Sequence, residues 1–424
     1  MLADKVFSTI KIMKNELINY VFLGKLIKHF RHQRKLKQNE CCESITSVRT
    51  LYNIESGRYC SIEGVYGDLA VKLGFSFSES DFQIDSLDKY SRMIVEYFKQ
   101  DRTVKEFSEL CNRIAKAKRR AEGKLYIYEL LDLYESYLNW FLHGDLSNRN
   151  LYYLIKKHVD YLSGNDRTIA MSFLLNYSLG FNKDTDYILY LTDVYKHSDI
   201  YANPYDIFRV EMSNDLAGVE HRYEAILKSR TEDPEWKKFS YRYCVYSVLA
   251  YASNNRYDQR GSLEYLEEIK NDAETYSKLP KHMYLQIVKR MGIRNFVLED
   301  YEECCSLMSQ VCEEDKSLLE MNYLLLFKSL ELVDRTDEII RIIASLRNDS
   351  LNLPMARNVI RYYKLKYLQR SSASELEKFL IEKLYYRMFE NNTFFRDVLF
   401  NEMQQLVKET HNYKNLSLYL EKTT

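Results

Sequence analysis

Apolar residues recur at three- and four-residue spacing through most of the chain, the period of an amphipathic helix, and no stretch alternates long enough to read as a strand. Residues 1–21 place Val6, Ile10, Met13, Leu17 and Val21 on one helical face, which predicts an extra amphipathic helix docked on a neighbour or a partner subunit. Four short helices are predicted over residues 22–75. Leu23, Ile27 and Phe30 form the inner face of the first, Cys41, Cys42 and Ile45 that of the second, and Leu51 and Ile54 that of the third. Val65, Leu69, Ala70 and Leu73 close the group.

Residues 76–87 carry turn formers such as Ser76, Ser78, Ser80 and Asp81 without a clear period, so they are predicted to be a linker, with a second domain over 88–424. In that second part roughly eighteen helices with short connections are expected, which implies antiparallel hairpins stacked side by side. The segment FSYRYCVYSVLAYASNNRYDQRGSLEYLEEIKND, 239–272, has the length and aromatic spacing of a tetratricopeptide hairpin, although the consensus does not fit successive repeats. The four prolines, 204, 234, 280 and 354, all stand where a helix can begin. Thr103/Glu106 and Ser372/Glu375 are predicted capping boxes. The expected fold class is all-α: an N-terminal module of short helices followed by an α-solenoid of tetratricopeptide-like hairpins.

Composition refines this picture. With 424 residues, 46% of them hydrophobic, the chain has ample material for a packed core. Lys+Arg and Asp+Glu balance at 61 each, so total charge says nothing about partners. Its distribution does: residues 22–75 hold nine Lys/Arg against five Asp/Glu, leaving the remainder of the chain net acidic. The eight cysteines form no CxxC pair and no Cys/His set at zinc-ligand spacing, which fits a reducing cytoplasm and implies no metal or cofactor. No apolar run approaches the roughly 18 residues of a membrane span. No glycine-rich phosphate loop, nucleophile elbow or framed carboxylate pair appears, so an enzyme has no visible seat. His29 and His32, three residues apart, read as part of a basic face rather than a metal site, and Cys60 as a small half-buried residue.

The order of buried and exposed positions over 38–57 is that of a helix-turn-helix, in which the second of two tightly crossed helices lies in the major groove. Ser47 is placed to cap that helix. Val48, Arg49, Tyr52 and Asn53 then face outward. An arginine can make paired hydrogen bonds to guanine, an asparagine to adenine, and a valine can touch a thymine methyl. Lys25, Lys28, Arg34, Lys35, Lys37 and Arg58 are available to phosphates, which adds affinity without sequence preference.

Gln38, Ile45, Ser47, Thr50, Leu51 and the ending Ile54-Glu55-x-Gly57 resemble the Xre-type helix-turn-helix, most closely the version in the Rgg, PlcR and PrgX group of peptide-responsive regulators. The chain departs from the pattern at Ser61, where many members carry proline, and at Cys41 and Cys42, where leucine and alanine are usual. The resemblance covers about 55 residues; beyond them it rests on architecture alone. It implies that Arg31 of the first helix pairs with Glu55, and that Gln38 and Arg58 join Ser47, Val48, Arg49, Tyr52 and Asn53 at double-stranded DNA. It also implies a homodimer whose repeats bind a short signalling peptide and thereby control DNA binding or activation.

Such a peptide needs its backbone groups satisfied by inward-facing polar side chains. If outer helices begin near Tyr187, Tyr223, Tyr257 and Tyr301, positions about eleven residues earlier fall midway along inner helices. These are Asn176, Met212, Tyr246 and Arg290, with Asn214 a better polar choice than Met212. The peptide-facing set is therefore Asn176, Asn214, Tyr246 and Arg290. The competing reading keeps the DNA-binding module but makes the solenoid a protein-docking scaffold with no peptide ligand. A third, enzymatic regulation of another protein, has no identifiable catalytic residues.

Overall fold

The computed structural model describes residues 18–81, 83–178, 186–188, 190–191, 216–276, 278–314, 322–346, 354–385 and 393–413. Among them the chain is all-α, and the one extended pairing is an isolated bridge between Ser76 and Lys124. Residues 1–17, and with them most of the expected N-terminal amphipathic helix, lie outside the described residues.

The N-terminal helix-turn-helix comprises α1 (Tyr20–Gln33), α2 (Gln38–Cys42), α3 (Val48–Glu55) and α4 (Val65–Lys72). Asn19 starts α1 by accepting the Phe22 amide on its side chain at 3.0 Å, so the helix begins two residues before the apolar pattern suggests. Phe22, Leu23, Leu26, Ile27, Cys41, Cys42, Leu51, Ile54, Val65, Leu69, Ala70 and Leu73 are buried together, while Phe30 and Ile45 pack at the rim. The close crossing of α1 over α3 depends on Gly24. A Cβ there would stand 2.0 Å from the Ile54 carbonyl oxygen, inside any van der Waals contact. Gly57 ends α3 with φ +90, a backbone region that glycine enters without steric cost.

The segment expected as a linker is ordered into structure. Ser76 donates its amide to the Gly123 carbonyl at 2.8 Å and accepts the Leu125 amide at 2.9 Å. Asp81 accepts the Gln83 amide at 3.0 Å, and α5 runs Gln83–Lys99, five residues ahead of the expected start. Ile84, Leu87, Ile94, Val95 and Phe98 give it a helical apolar face, whose first turn is hidden in the sequence among polar neighbours.

Next come α6 (Val104–Arg120), α7 (Ile127–His143), α8 (Arg149–His158) and α9 (Gly164–Tyr177). The Thr103/Glu106 box caps the start of α6, with Glu106 accepting the Thr103 amide at 2.9 Å. Helix α7 is the spine: Leu130, Leu131, Leu133, Tyr134, Tyr137 and Leu138 are all buried, so it is enclosed on nearly every side. The later helices are α10 (Leu216–Lys228), α11 (Phe239–Asn255), α12 (Gln259–Tyr276), α13 (Lys281–Val297), α14 (Tyr301–Glu314), α15 (Asn322–Leu332), α16 (Thr336–Ser345), α17 (Pro354–Tyr363), α18 (Ala373–Phe379) and α19 (Thr393–Thr410).

Of the prolines, Pro354 opens α17 and Pro280 immediately precedes α13, whereas Pro234 opens a short 3-10 turn, Pro234–Lys237, ahead of α11. Pro204 lies outside the described residues.

The chain divides into two compact units. The first comprises Met1–Ala252 with Asn271–Met283, and the second Ser253–Lys270 with Tyr284–Thr424. In the first, Asp101 sits at the α5–α6 turn and accepts the amides of Phe239 and Ser240 at 2.6 and 3.1 Å, capping the start of α11. In the second, Leu325, Phe327, Ile339, Val359, Tyr362, Tyr363, Leu399 and Met403 form the core. Beside it, Glu402 accepts Lys366 Nζ and Tyr362 Oη, both at 2.6 Å, and pairs with Lys328. Burial acts to raise the Glu402 pKa, but the two lysines outweigh it and hold the carboxyl well below its ordinary range.

Candidate nucleic-acid interface

Helix α3 is short and owes its position to what surrounds it. Ser47 Oγ accepts the Thr50 amide at 3.0 Å, satisfying one free donor of the first turn, and lies 2.9 Å from Thr50 Oγ1. Leu51 and Ile54 are fully buried and fix the inner face. Arg31 meets Glu55 through two bonds, Nε to Oε1 at 2.6 Å and Nη2 to Oε2 at 3.0 Å, with both side chains almost wholly buried. The bond to Glu55 holds the guanidinium proton more firmly than usual, against the opposing effect of burial. Arg31 Nη1 also donates to the Leu36 carbonyl at 2.7 Å, which ties down the turn before α2.

Gln38, expected at DNA, donates Nε2 to Glu55 Oε2 at 2.9 Å and is half-buried. In this arrangement its amide braces the ion pair. Lys25, expected at a phosphate, donates Nζ to the Glu55 carbonyl at 3.0 Å and lies 4.5 Å from the Tyr161 ring centroid. That charge is committed to the end of α3 and to the helices behind it.

The outer face of α3 is left open. Val48 is 44% and Tyr52 59% exposed, and Arg49 is exposed. Asn53 is half-buried; its carbonyl accepts the Ser56 and Arg58 amides at 3.1 and 2.9 Å. Arg49 and Asn53 stand one helical turn apart, as do Val48 and Tyr52, so the four form two adjacent rows. Arg49 makes no hydrogen bond or ion pair among the described residues. Lys28, Lys35, Lys37 and Arg58 are exposed around this face, whereas Arg34 lies over the Phe75 ring at 5.5 Å. Cys41 and Cys42 are buried, and burial pushes the Cys41 thiol up. Cys60 is half-buried, its amide donating to Tyr66 Oη at 3.0 Å.

Residues that sequence reasoning missed hold this module against the helices that follow. The Asn19 amide donates to Tyr126 Oη at 3.0 Å, and its side chain donates to the Tyr161 carbonyl at 2.8 Å. The Phe22 and Tyr126 rings lie 6.1 Å apart. The tyrosine partners were not legible in the sequence, because they lie more than a hundred residues away.

Of the peptide-facing set, Asn176 donates Nδ2 to the Ser172 carbonyl one turn back at 2.8 Å. Tyr246 is buried with its ring 5.7 Å from that of Trp236, and Arg290 is exposed. Asn214 lies outside the described residues. The register behind this set holds in part: α14 starts at Tyr301 and Tyr257 falls in the turn before α12, but Tyr223 is buried in the middle of α10. A polar hollow of about 360 Å³ opens between α6, α7 and the loop before α8, lined by Lys118, Asp132, Glu135, Asn139 and Asn148 among others. Lys118 bridges Asp132 at 2.7 Å and Glu135 at 2.6 Å, and these carboxylates hold its proton in spite of burial.

Among the described residues no group of histidine, cysteine and carboxylate side chains is placed to hold a metal ion, and no helix is long and apolar enough to cross a membrane. No protein-family model matches the chain, and no curated protein matches it. Among solved structures, the chain is similar to Bacillus thuringiensis PlcR in complex with the peptide PapR7 and DNA. The identity is 17%, over 75% of this chain and 98% of that one, with a TM-score of 0.25.

Proposed function

We propose that this protein is a DNA-binding regulator in which residues 22–75 read duplex DNA through the outer face of α3, while residues 88–424 dimerise and take a short signalling peptide that controls DNA binding. The observation that carries the DNA half is an outward row on α3, Arg49 and Asn53, on the same short helix as Glu55, which Arg31 of α1 and Gln38 of α2 hold from behind. A helix of eight residues keeps no fixed orientation by itself. The brace supplies that orientation, and base readout needs it, since direct recognition depends on paired hydrogen bonds of fixed geometry. Lys28, Lys35, Lys37 and Arg58 supply phosphate contacts around it.

The ligand half rests on the stacked helices and on the hollow beside Lys118 and Asn148, whose polar lining offers hydrogen-bond partners to the backbone groups of a short peptide. The alternative, a docking scaffold without peptide, shares every feature of the DNA half. Calorimetry with short peptides against a folded protein partner separates the two.

The DNA half is tested by selecting binding sites from a random duplex library with the full chain, then repeating the selection with the Arg49→Ala, Asn53→Ala double variant. The expected result is loss of sequence preference with weak, salt-sensitive binding retained. An unchanged preferred sequence in the double variant rules out α3 as the reading element.

A further inference from the structure

The junction between α1 and α8 contains a pair of histidines in an unusual setting. The His29 and His158 rings meet edge to face with centroids 5.9 Å apart. His158 is only 4% exposed, and neither of its ring nitrogens has a hydrogen-bond partner among the described residues. An imidazole buried without partners forfeits the solvation of two polar atoms. The ionisable groups acting on the pair are Lys25, Lys28 and His32 on α1 and Lys157 on α8, all of them cationic or able to become so. The Tyr161 ring lies 6.3 Å from that of His158. The nearby carboxylate, Asp160, is exposed and accepts from Tyr190 Oη at 3.1 Å. The same junction carries the Asn19 bonds to Tyr126 and Tyr161 and the Lys25 contact with Tyr161.

We propose that the His29–His158 contact is an acid-released latch: with both rings neutral it lets the helix-turn-helix dock on α7 and α8, and protonation of the pair drives α1 away from α8. A proton arriving on His158 meets no acceptor and the like charges of Lys25, Lys28 and Lys157, whereas in the opened state water solvates it. Burial first, then His29 and the lysines, hold the docked His158 down at about 4. Once α1 has moved away the ring returns toward its ordinary range, so each proton taken up below neutrality favours the open form. Lys25 donates to the end of α3 and lies against the Tyr161 ring, so opening the latch also separates the helix-turn-helix, α3 included, from the helices behind it. None of this depends on which ligand, if any, the repeats take.

Hydrogen exchange of the full chain at pH 7.5 and pH 5.5, corrected for intrinsic rates, tests the proposal. From a docked value of about 4 and an open value near 6.5, protection of residues 20–33 and 155–163 should fall about tenfold at the lower pH. Residues 127–142 of α7 serve as the internal reference and should change far less. The His158→Phe variant, which keeps an aromatic ring but takes no proton, should hold the protection of both segments within about twofold. His29→Gln, at a half-buried position that leaves the core intact, should show a smaller fall than the native chain. Full protection of the native chain at pH 5.5, or an equal fall in native chain and variants, overturns the latch.

Discussion

Arg31 and Glu55 illustrate how much a single pair can decide. Their charges are buried, so removing one partner leaves the other with a full desolvation cost and no compensation. Glu55→Ala is expected to lose about 3 kcal/mol of stability by chemical denaturation, whereas replacing both residues by well-packed apolar ones should cost much less. A loss under about 1 kcal/mol for the single variant would show the pair to be hydrated and weak. Gly24 makes the same point for backbone. Any Cβ at this position meets the Ile54 carbonyl, and Gly24→Ala should cost about 2 kcal/mol or more as the α1–α3 crossing is forced apart. Gly123, whose Cβ would meet nothing within 4 Å, provides a control for helix-crossing effects, although its φ of +76 carries its own strain. The Arg31–Glu55 pair was legible in the sequence from the helix-turn-helix motif. The roles of Gly24, Lys25 and the Gln38 amide became readable only when the neighbouring backbone was in place.

Among the elements, α7 is enclosed on nearly every side, and burial tunes the protonation of its own Glu129 and of Asp166, which faces it from α9. Burial pushes Glu129 up to about 7 and Asp166, which accepts from Tyr134 on α7, up to about 6. A carboxyl raised on folding keeps a proton that the unfolded chain has lost. Its stabilising contribution is therefore full below the unfolded value near 4 and is lost as pH rises through 6 to 7. His158, lowered on folding, works in the opposite sense, since it withdraws stability as pH falls from 6.5 towards 4. Thermal melts of His158→Phe between pH 5 and 8 should accordingly show greater stabilisation on acidification than the native chain. Adding Glu129→Gln should flatten that slope. A slope unchanged by Glu129→Gln would mean that the carboxyl is ionised in the folded state. The helices themselves were readable from apolar spacing and from capping residues such as Thr103 and Ser372, because these signals act within one or two turns. The early start of α5 was not readable, since its first turn is mostly polar and is held by Asp81 and Lys124 rather than by its own pattern.

For the whole molecule, the division into two compact units with separate cores leads to a further expectation. Glu402→Ala strips Lys328, Lys366 and Tyr362 of their shared acceptor, so it should destabilise the second unit by about 3 kcal/mol. Hydrogen exchange should rise over 322–332 and 393–410 while 20–72 stays protected; an equal rise over both would show a single cooperative unit. By itself the sequence determined the all-helical class, the order of the N-terminal helices and the residues on the outer face of α3, because periodicity, caps and motif spacing are properties of neighbouring residues. Tertiary structure alone decided which tyrosines receive Asn19, that Lys25 faces inward, that His29 meets His158, and that Asp101 caps a helix beginning 138 residues later. These contacts join positions far apart in the chain. Their partners are chosen by how the helices pack in space, which the local spacing of apolar residues does not specify.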